Sequence, residues 1–158
     1  MQFRKAVIED VDAIWEIEQS VFFSPWSREQ LAHELVVTPT AGHWVLDDES
    51  SMIGYIMSYI VHHEVQIINI AVRLSCQYRG YGKRILSEFL SQFNKKTYIF
   101  LEVRESNLPA YQLYSNFGFE QIDIRRKYYH DGENAIVMAK TGNKLPKIEN
   151  MKKTNMSF

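Results

Sequence analysis

The stretch that most limits what this chain can fold into runs from Val65 to Gly82. It opens as V-Q-I-I-N-I-A-V and ends in the glycine-spaced Q-Y-R-G-Y-G of Gln77 to Gly82. An almost continuously apolar strand is one covered on both faces, so the fold must place layers on either side of a sheet. Ile85, Leu86, Phe89, Leu90 and Phe93 then recur at helical spacing and predict an amphipathic helix starting near Gly80. The unit is therefore strand, loop, helix. Glycines let backbone N–H groups approach a ligand without a side chain in the way. The helix start adds unpaired N–H groups and the positive end of its dipole, and together these form a cradle for phosphate oxygens. The alternative is an ordinary strand-to-helix turn. The loop has no G-K-[ST] ending, and no G-x-G-x-x-G with an acidic residue at the expected offset, which excludes a P-loop NTPase and a dinucleotide fold. Lys83 and Arg84 lie in the first helical turn, where the dipole disfavours cations. A bound anion would explain them, as would simple solvation.

Before this unit, Phe3 to Val7 reads as a first strand, and Asp10 as the N-cap of a helix carrying Val11, Ile14, Trp15, Ile17, Glu18 and Val21. Trp15 and Ile17 read as core. The helix breaks at F-F-S-P-W-S, and Ser27 with Gln30 forms a capping box for a second helix. Phe22, Phe23 and Trp26 either anchor the two helices on the sheet or form one wall of a site. His43 to Leu46 and Met52 to Val61 read as strands, the second with Gly54 inside it, which marks a bulge or a close backbone approach.

After the glycine loop, Tyr98 to Val103 is a second buried strand. It carries one charge, Glu102, on the face of Tyr98 and Phe100. A carboxylate there is costly unless paired or functional. Arg104 is a candidate partner, although adjacent strand residues point to opposite faces. A helix follows from Pro109, with Tyr111 and Tyr114 on neighbouring parts of one face and Gly118 at its end. Gln121 to Arg126 and Ala135 to Ala139 close as an antiparallel pair. From Thr141 the sequence turns rich in Lys and Asn. The expected organisation is one domain over residues 1–140 and a mobile tail over 141–158.

Three separated segments carry a family resemblance: Asn69 to Gly82, L-E-V-R-E-S-N from Leu101 to Asn107, and A-Y-Q-L-Y-S-N-F-G-F from Ala110 to Phe119. In order and spacing they resemble the GCN5-related N-acetyltransferases (GNAT). S-P-W-S, R-R-K-Y-Y and E-N-A-I-V-M extend the likeness toward the branch that acetylates the N-terminal alanine of ribosomal proteins. Leu74 and Ser75 replace the proline usual in that branch, Asn134 replaces an aspartate, and the Lys-rich tail is outside its pattern. The resemblance implies the GNAT fold: an α/β architecture with a mixed, mostly antiparallel sheet of six to seven strands, helices on both faces and a splayed central parallel pair. It also implies acetyl-CoA as co-substrate. Gln77, Tyr78, Arg79, Gly80, Tyr81, Gly82 and Lys83 would hold its pyrophosphate and Asn107 its pantetheine arm, while backbone groups of Ile70, Ala71 and Val72 would face the thioester.

By the same resemblance Glu102 is the general base, directly or through a water, its pKa raised by burial among Tyr98, Phe100 and Val103, and Tyr114 is the general acid. Trp26, Tyr128 and Tyr129 are candidates for a peptide-facing wall. The acceptor would be a protein N-terminus, most simply a ribosomal one. The alternatives are a lysine, polyamine or antibiotic acceptor, or a non-catalytic acetyl-CoA-binding module, which would need neither Glu102 nor Tyr114.

Composition limits the remaining function classes. A net charge of −1 gives no basic surface for direct nucleic-acid binding. The single cysteine, Cys76, forbids an internal disulfide and suits a reducing cytoplasm. The start M-Q-F-R-K-A is charged where a leader needs an apolar run, and no stretch is long and apolar enough to span a membrane. His62 and His63 read as turn residues, and no spacing suggests a metal site. A monomer or weak dimer is expected.

Overall fold

The computed structural model describes residues 1–141, so the expected tail from 142 onward lies outside the described residues. Seven strands form one sheet in the order β1-β2-β3-β4-β5-β7-β6. They are β1 (Gln2–Lys5), β2 (Trp44–Asp47), β3 (Met52–Val61), β4 (Glu64–Val72), β5 (Tyr98–Arg104), β6 (Glu120–Arg125) and β7 (Ala135–Lys140). Every neighbouring pair is antiparallel except β4 and β5. The helices are α1 (Val11–Val21), α2 (Arg28–Val36), α3 (Tyr81–Leu90) and α4 (Leu108–Asn116).

The helices cover both faces, as the buried strands demand. Ile85, Leu86 and Phe89 of α3 and Tyr114 of α4 pack on Ile53, Ile67, Leu101 and Met138. On the other face Ile14 and Ile17 of α1 and Leu31 of α2 pack on Val45, Tyr55, Met57 and Ala71. Each such fully buried side chain contributes about 1.5–3 kcal/mol. Ser27 accepts from the backbone N of Gln30 at 3.1 Å while its own N–H donates to Gln30 Oε1 at 2.8 Å, which is the expected capping box. Asp10 sits at the start of α1 without capping it. Its carboxylate turns back to the N–H of Val7 and the guanidinium of Arg4, each at 2.8 Å. Trp15 is 36% exposed and lies outside the core, whereas Ile17 is buried within it.

The parallel pairing of β4 with β5 runs only from Glu64↔Tyr98 to Ile67↔Leu101. Beyond that, β4 stays with β3 and β5 with β7. The parting coincides with a bulge: Met57 pairs with Asn69 and Ser58 with Ile67, which leaves Ile68 as the extra residue. The bulge shifts the alternation by one. Gln66 and Asn69 therefore share the α1 face, where a regular strand would have turned Asn69 toward α3.

Candidate active site

The cleft between the diverging ends of β4 and β5 is bounded by four segments. The first is the β4 edge itself, where Ile70, Ala71 and Val72 pair with Ile56, Tyr55 and Gly54 on one side and have no strand on the other.

The second is the glycine loop. Gln77 Nε2 donates to the carbonyl of Val72 at 3.1 Å, which fastens the loop to the end of β4. Tyr78 and Gly80 both take left-handed conformations, with φ of 61° and 83°. For a tyrosine this is a strained choice, and the Tyr78 side chain is fully exposed. Gly80 caps α3, whose first N–H groups open toward the loop. Arg79 and Lys83 are exposed beside it. Arg84 is ion-paired with Glu88 at 2.7 Å, one turn on, so it needs no bound anion to account for it.

The third segment is β5 with its neighbours. Glu102 lies on the α1 face and is mostly covered. Its partner is Arg125 of β6, whose Nε lies 2.8 Å from Glu102 Oε1; Arg104 is turned away, bonded at 2.8 Å to both Asp131 and Glu133. Val103 belongs to the opposite face, in the core under α3, so it does not line Glu102 as expected; Tyr98 and Phe100 stack with centroids 5.7 Å apart. The Tyr128 hydroxyl also hydrogen-bonds to Glu102, and burial together with that bond pushes its pKa up. Tyr129 packs edge-on against Tyr128 at 5.2 Å and under the Arg104 guanidinium at 3.9 Å. Burial pushes the Tyr129 hydroxyl up to about 12, with the Glu102 charge adding to the effect.

Tyr129 also faces Tyr114 of α4, which is buried and packs on Phe119. Burial raises the Tyr114 hydroxyl well above its ordinary range, so it holds its proton at neutral pH. Asn107 caps α4: its Oδ1 accepts from the N–H of Ala110 at 3.2 Å, which leaves its amide nitrogen outside that cap. The structure thus brings Glu102, Tyr114, Tyr128 and Tyr129 together around one end of β5.

The fourth segment is the α1–α2 loop. Trp26 is half-buried, and its backbone N–H donates to Glu18 at 3.0 Å. Through Glu18 it is joined to Asn69 of β4. Two residues that sequence reasoning missed are Arg125, inside the R-R-K-Y-Y segment, and Glu18. The signal for Glu18 was present: it is an acid on the apolar stripe of α1, four residues after Ile14.

An unpaired strand edge beyond a bulge, a glycine loop opening a helix and a carboxylate on the adjoining parallel strand thus bound one cleft. Residues 11–119 match the acetyltransferase (GNAT) family. The chain belongs to that family. An Escherichia coli (strain K12) relative named [ribosomal protein bS18]-alanine N-acetyltransferase is 33% identical over 135 residues, covering 82% of this chain and 90% of its own. A Bacillus subtilis (strain 168) relative is 36% identical over 138 residues, covering 85% of this chain and 91% of its own. The crystal structure of the Escherichia coli ribosomal-protein-S18-alanine N-acetyltransferase superposes with a TM-score of 0.83 at 30% identity, covering 93% of this chain and 97% of that one. The Thermoplasma volcanium Ard1 structure, at 23% identity and a TM-score of 0.78, shares the fold. This acetyltransferase therefore has the architecture that its sequence implied, with seven strands. Among the described residues no helix is long and apolar enough to cross a membrane, and none form a cluster suited to a metal ion.

Proposed function

We propose that this acetyltransferase moves an acetyl group from acetyl-CoA to the α-amino group of a protein N-terminus, the terminal alanine of a small-subunit ribosomal protein being the favoured acceptor. The observation that carries the reading is the parting of β4 and β5 directly after Ile67↔Leu101, with the glycine loop at the end of one strand and Glu102 on the other. The name of the Escherichia coli relative supports the acceptor.

The pyrophosphate lies on the loop from Gln77 to Lys83, and the amide nitrogen of Asn107 bonds the pantetheine arm. The thioester carbonyl lies along the unpaired edge of Ile70 to Val72, where fixed N–H dipoles stabilise the oxyanion as it forms. An α-amino group has a pKa of about 8 and is mostly charged at neutral pH. Glu102 takes its proton, directly or through a water, and the freed nitrogen attacks the carbonyl carbon. The nitrogen of the tetrahedral intermediate gives up its second proton to solvent, and the intermediate then breaks its C–S bond. The thiolate leaves and takes a proton from Tyr114, whose buried hydroxyl stays protonated until that step. The products are the N-acetylated chain and free coenzyme A. Arg125 and Tyr128 hold the Glu102 carboxylate in place, and Trp26, Tyr128 and Tyr129 flank the acceptor.

The test is free-thiol release from acetyl-CoA with peptides beginning in Ala, Ser, Met or Gly, an internal-lysine peptide with a blocked N-terminus, and spermidine. Turnover of the free-N-terminal peptides, with Ala best, is expected; turnover of lysine or spermidine alone would overturn the acceptor. Glu102→Gln and Tyr114→Phe should each lower kcat by about 100-fold or more while acetyl-CoA affinity is kept. Unchanged kcat in both would remove the acid–base assignment.

A further inference from the structure

Glu18 is 1% exposed on the inner face of α1. Its carboxylate accepts from the Tyr55 hydroxyl of β3, from Asn69 Nδ2 of β4 at 2.6 Å, and from the backbone N–H of Trp26 in the α1–α2 loop at 3.0 Å. All three donors are neutral. A carboxylate buried without a cation is costly, and an apolar side chain of similar size would stabilise the core at least as well. What the carboxylate supplies is position. It ties α1 and the α1–α2 loop to β3 and β4, which already share a ladder with each other, and hydrogen bonds to a charged acceptor are short and directional.

The place it holds is specific. Asn69 follows the bulge at Ile68, where β4 leaves β5. Trp26 and the fully exposed Phe23 belong to the loop on the other side of the carboxylate. The network lies on the α1 face, the face of Glu102, whereas the glycine loop leads into α3 on the opposite face. We infer that Glu18 is a positioning residue for the acceptor: it clamps the α1–α2 loop to the bulge of β4 and so sets the width of the groove in which the acceptor chain lies. This rests on the reading of a peptide acceptor given above. The clamp controls acceptor binding and leaves acetyl-CoA binding alone.

The experiment compares Glu18→Gln, the double variant Glu18→Gln with Asn69→Asp, and Asn69→Ser with the unaltered protein, measuring acceptor-peptide KM, kcat, acetyl-CoA Kd and Tm. A glutamine cannot accept from all three donors, since its amide nitrogen must face one of them. The double change moves the carboxylate across the contact, so that the amide introduced on α1 donates to the carboxylate introduced on β4. Glu18→Gln should raise the peptide KM by about tenfold or more, the effect of leaving a buried donor unpaired, with acetyl-CoA Kd unchanged. The double variant should recover most of that loss, and Asn69→Ser, at a half-exposed position that tolerates change, should shift KM the same way by less. A fall in Tm with peptide KM unmoved would overturn the inference, as would equal losses in peptide and acetyl-CoA binding. If the unaltered protein uses another amine, the peptide reading fails separately. The KM for that amine then decides: moved by Glu18→Gln, the clamp stands; unmoved, it falls.

Discussion

Acid should loosen this protein through one buried histidine. His43 is 6% exposed, and burial lowers its pKa from 6.5 to about 4. Its Nδ1 accepts from the N–H of Ser58 at 3.1 Å, so the neutral ring carries its proton on Nε2. The groups facing it are Glu34, 3.8 Å from Nε2, and Tyr59, whose ring lies 6.4 Å away and whose hydroxyl bonds to Glu34. The folded state keeps the ring neutral, while the unfolded chain takes up a proton as pH falls below 6.5. Stability is therefore fully present above pH 6.5 and is lost progressively down to about pH 4. The depression from 6.5 to about 4, at 1.36 kcal/mol per unit, gives a loss of about 3 kcal/mol. Closure of the Glu34 contact onto a protonated ring would reduce that figure. His43→Asn keeps an acceptor near Ser58 and removes the titration. Urea unfolding of both proteins between pH 7 and pH 4 is the assay. The unaltered protein should lose more stability than the variant by about 2–3 kcal/mol over that range. Parallel acid limbs would refute the reasoning.

Other substitutions test the cleft. A Cβ at Gly54 would stand 2.4 Å from the carbonyl oxygen of Ala71 and 3.2 Å from Val72 Cα, both backbone atoms that cannot step aside. Gly54→Ala should cost about 1–3 kcal/mol, read as a fall in Tm of several degrees, with weaker acetyl-CoA binding because β4 is displaced at the edge proposed to face the thioester. An unaltered Tm would show that β4 yields freely. At Gly80 a Cβ would meet nothing within 4 Å, yet φ is 83°. Acetyl-CoA affinity should therefore follow backbone tolerance, Gly above Asn above Val, and equal affinities by calorimetry would deny the loop its role. Ending the chain at Thr141 should leave Tm and turnover unchanged if residues 1–140 are the whole domain, and a lost unfolding transition would move that boundary.

Much of this was legible from local pattern. The nearly continuous apolar run of β4 announced layers on both faces, because a strand apolar on both sides has no face to give to water. Q-x-x-G-x-G announced a loop feeding a helix near Gly80, because only neighbours in the chain are involved. Ser27 and Gln30 announced a helix start, since a capping box is complete within four residues. Asp10 carried the same local signal and did otherwise, because Arg4, brought near by β1, offered its carboxylate a charge. Trp15 had helical spacing and large apolar area, yet the stripe on α1 that reached the sheet was that of Ile14, Ile17 and Glu18.

The sequence by itself determined the family, the order of strands and helices, the loop and the identity of the acidic strand residue, since each depends on neighbours in the chain. Only the tertiary structure decided what Glu102 pairs with and which way Asn69 points. Arg125 reaches Glu102 across β7, a strand that comes later in sequence than both. Asn69 reaches Glu18 because one extra residue, Ile68, shifts the alternation of β4 just where β5 departs. A two-residue period fixes which side chains share a face only up to the first bulge. Beyond it, the pairing strands set the register.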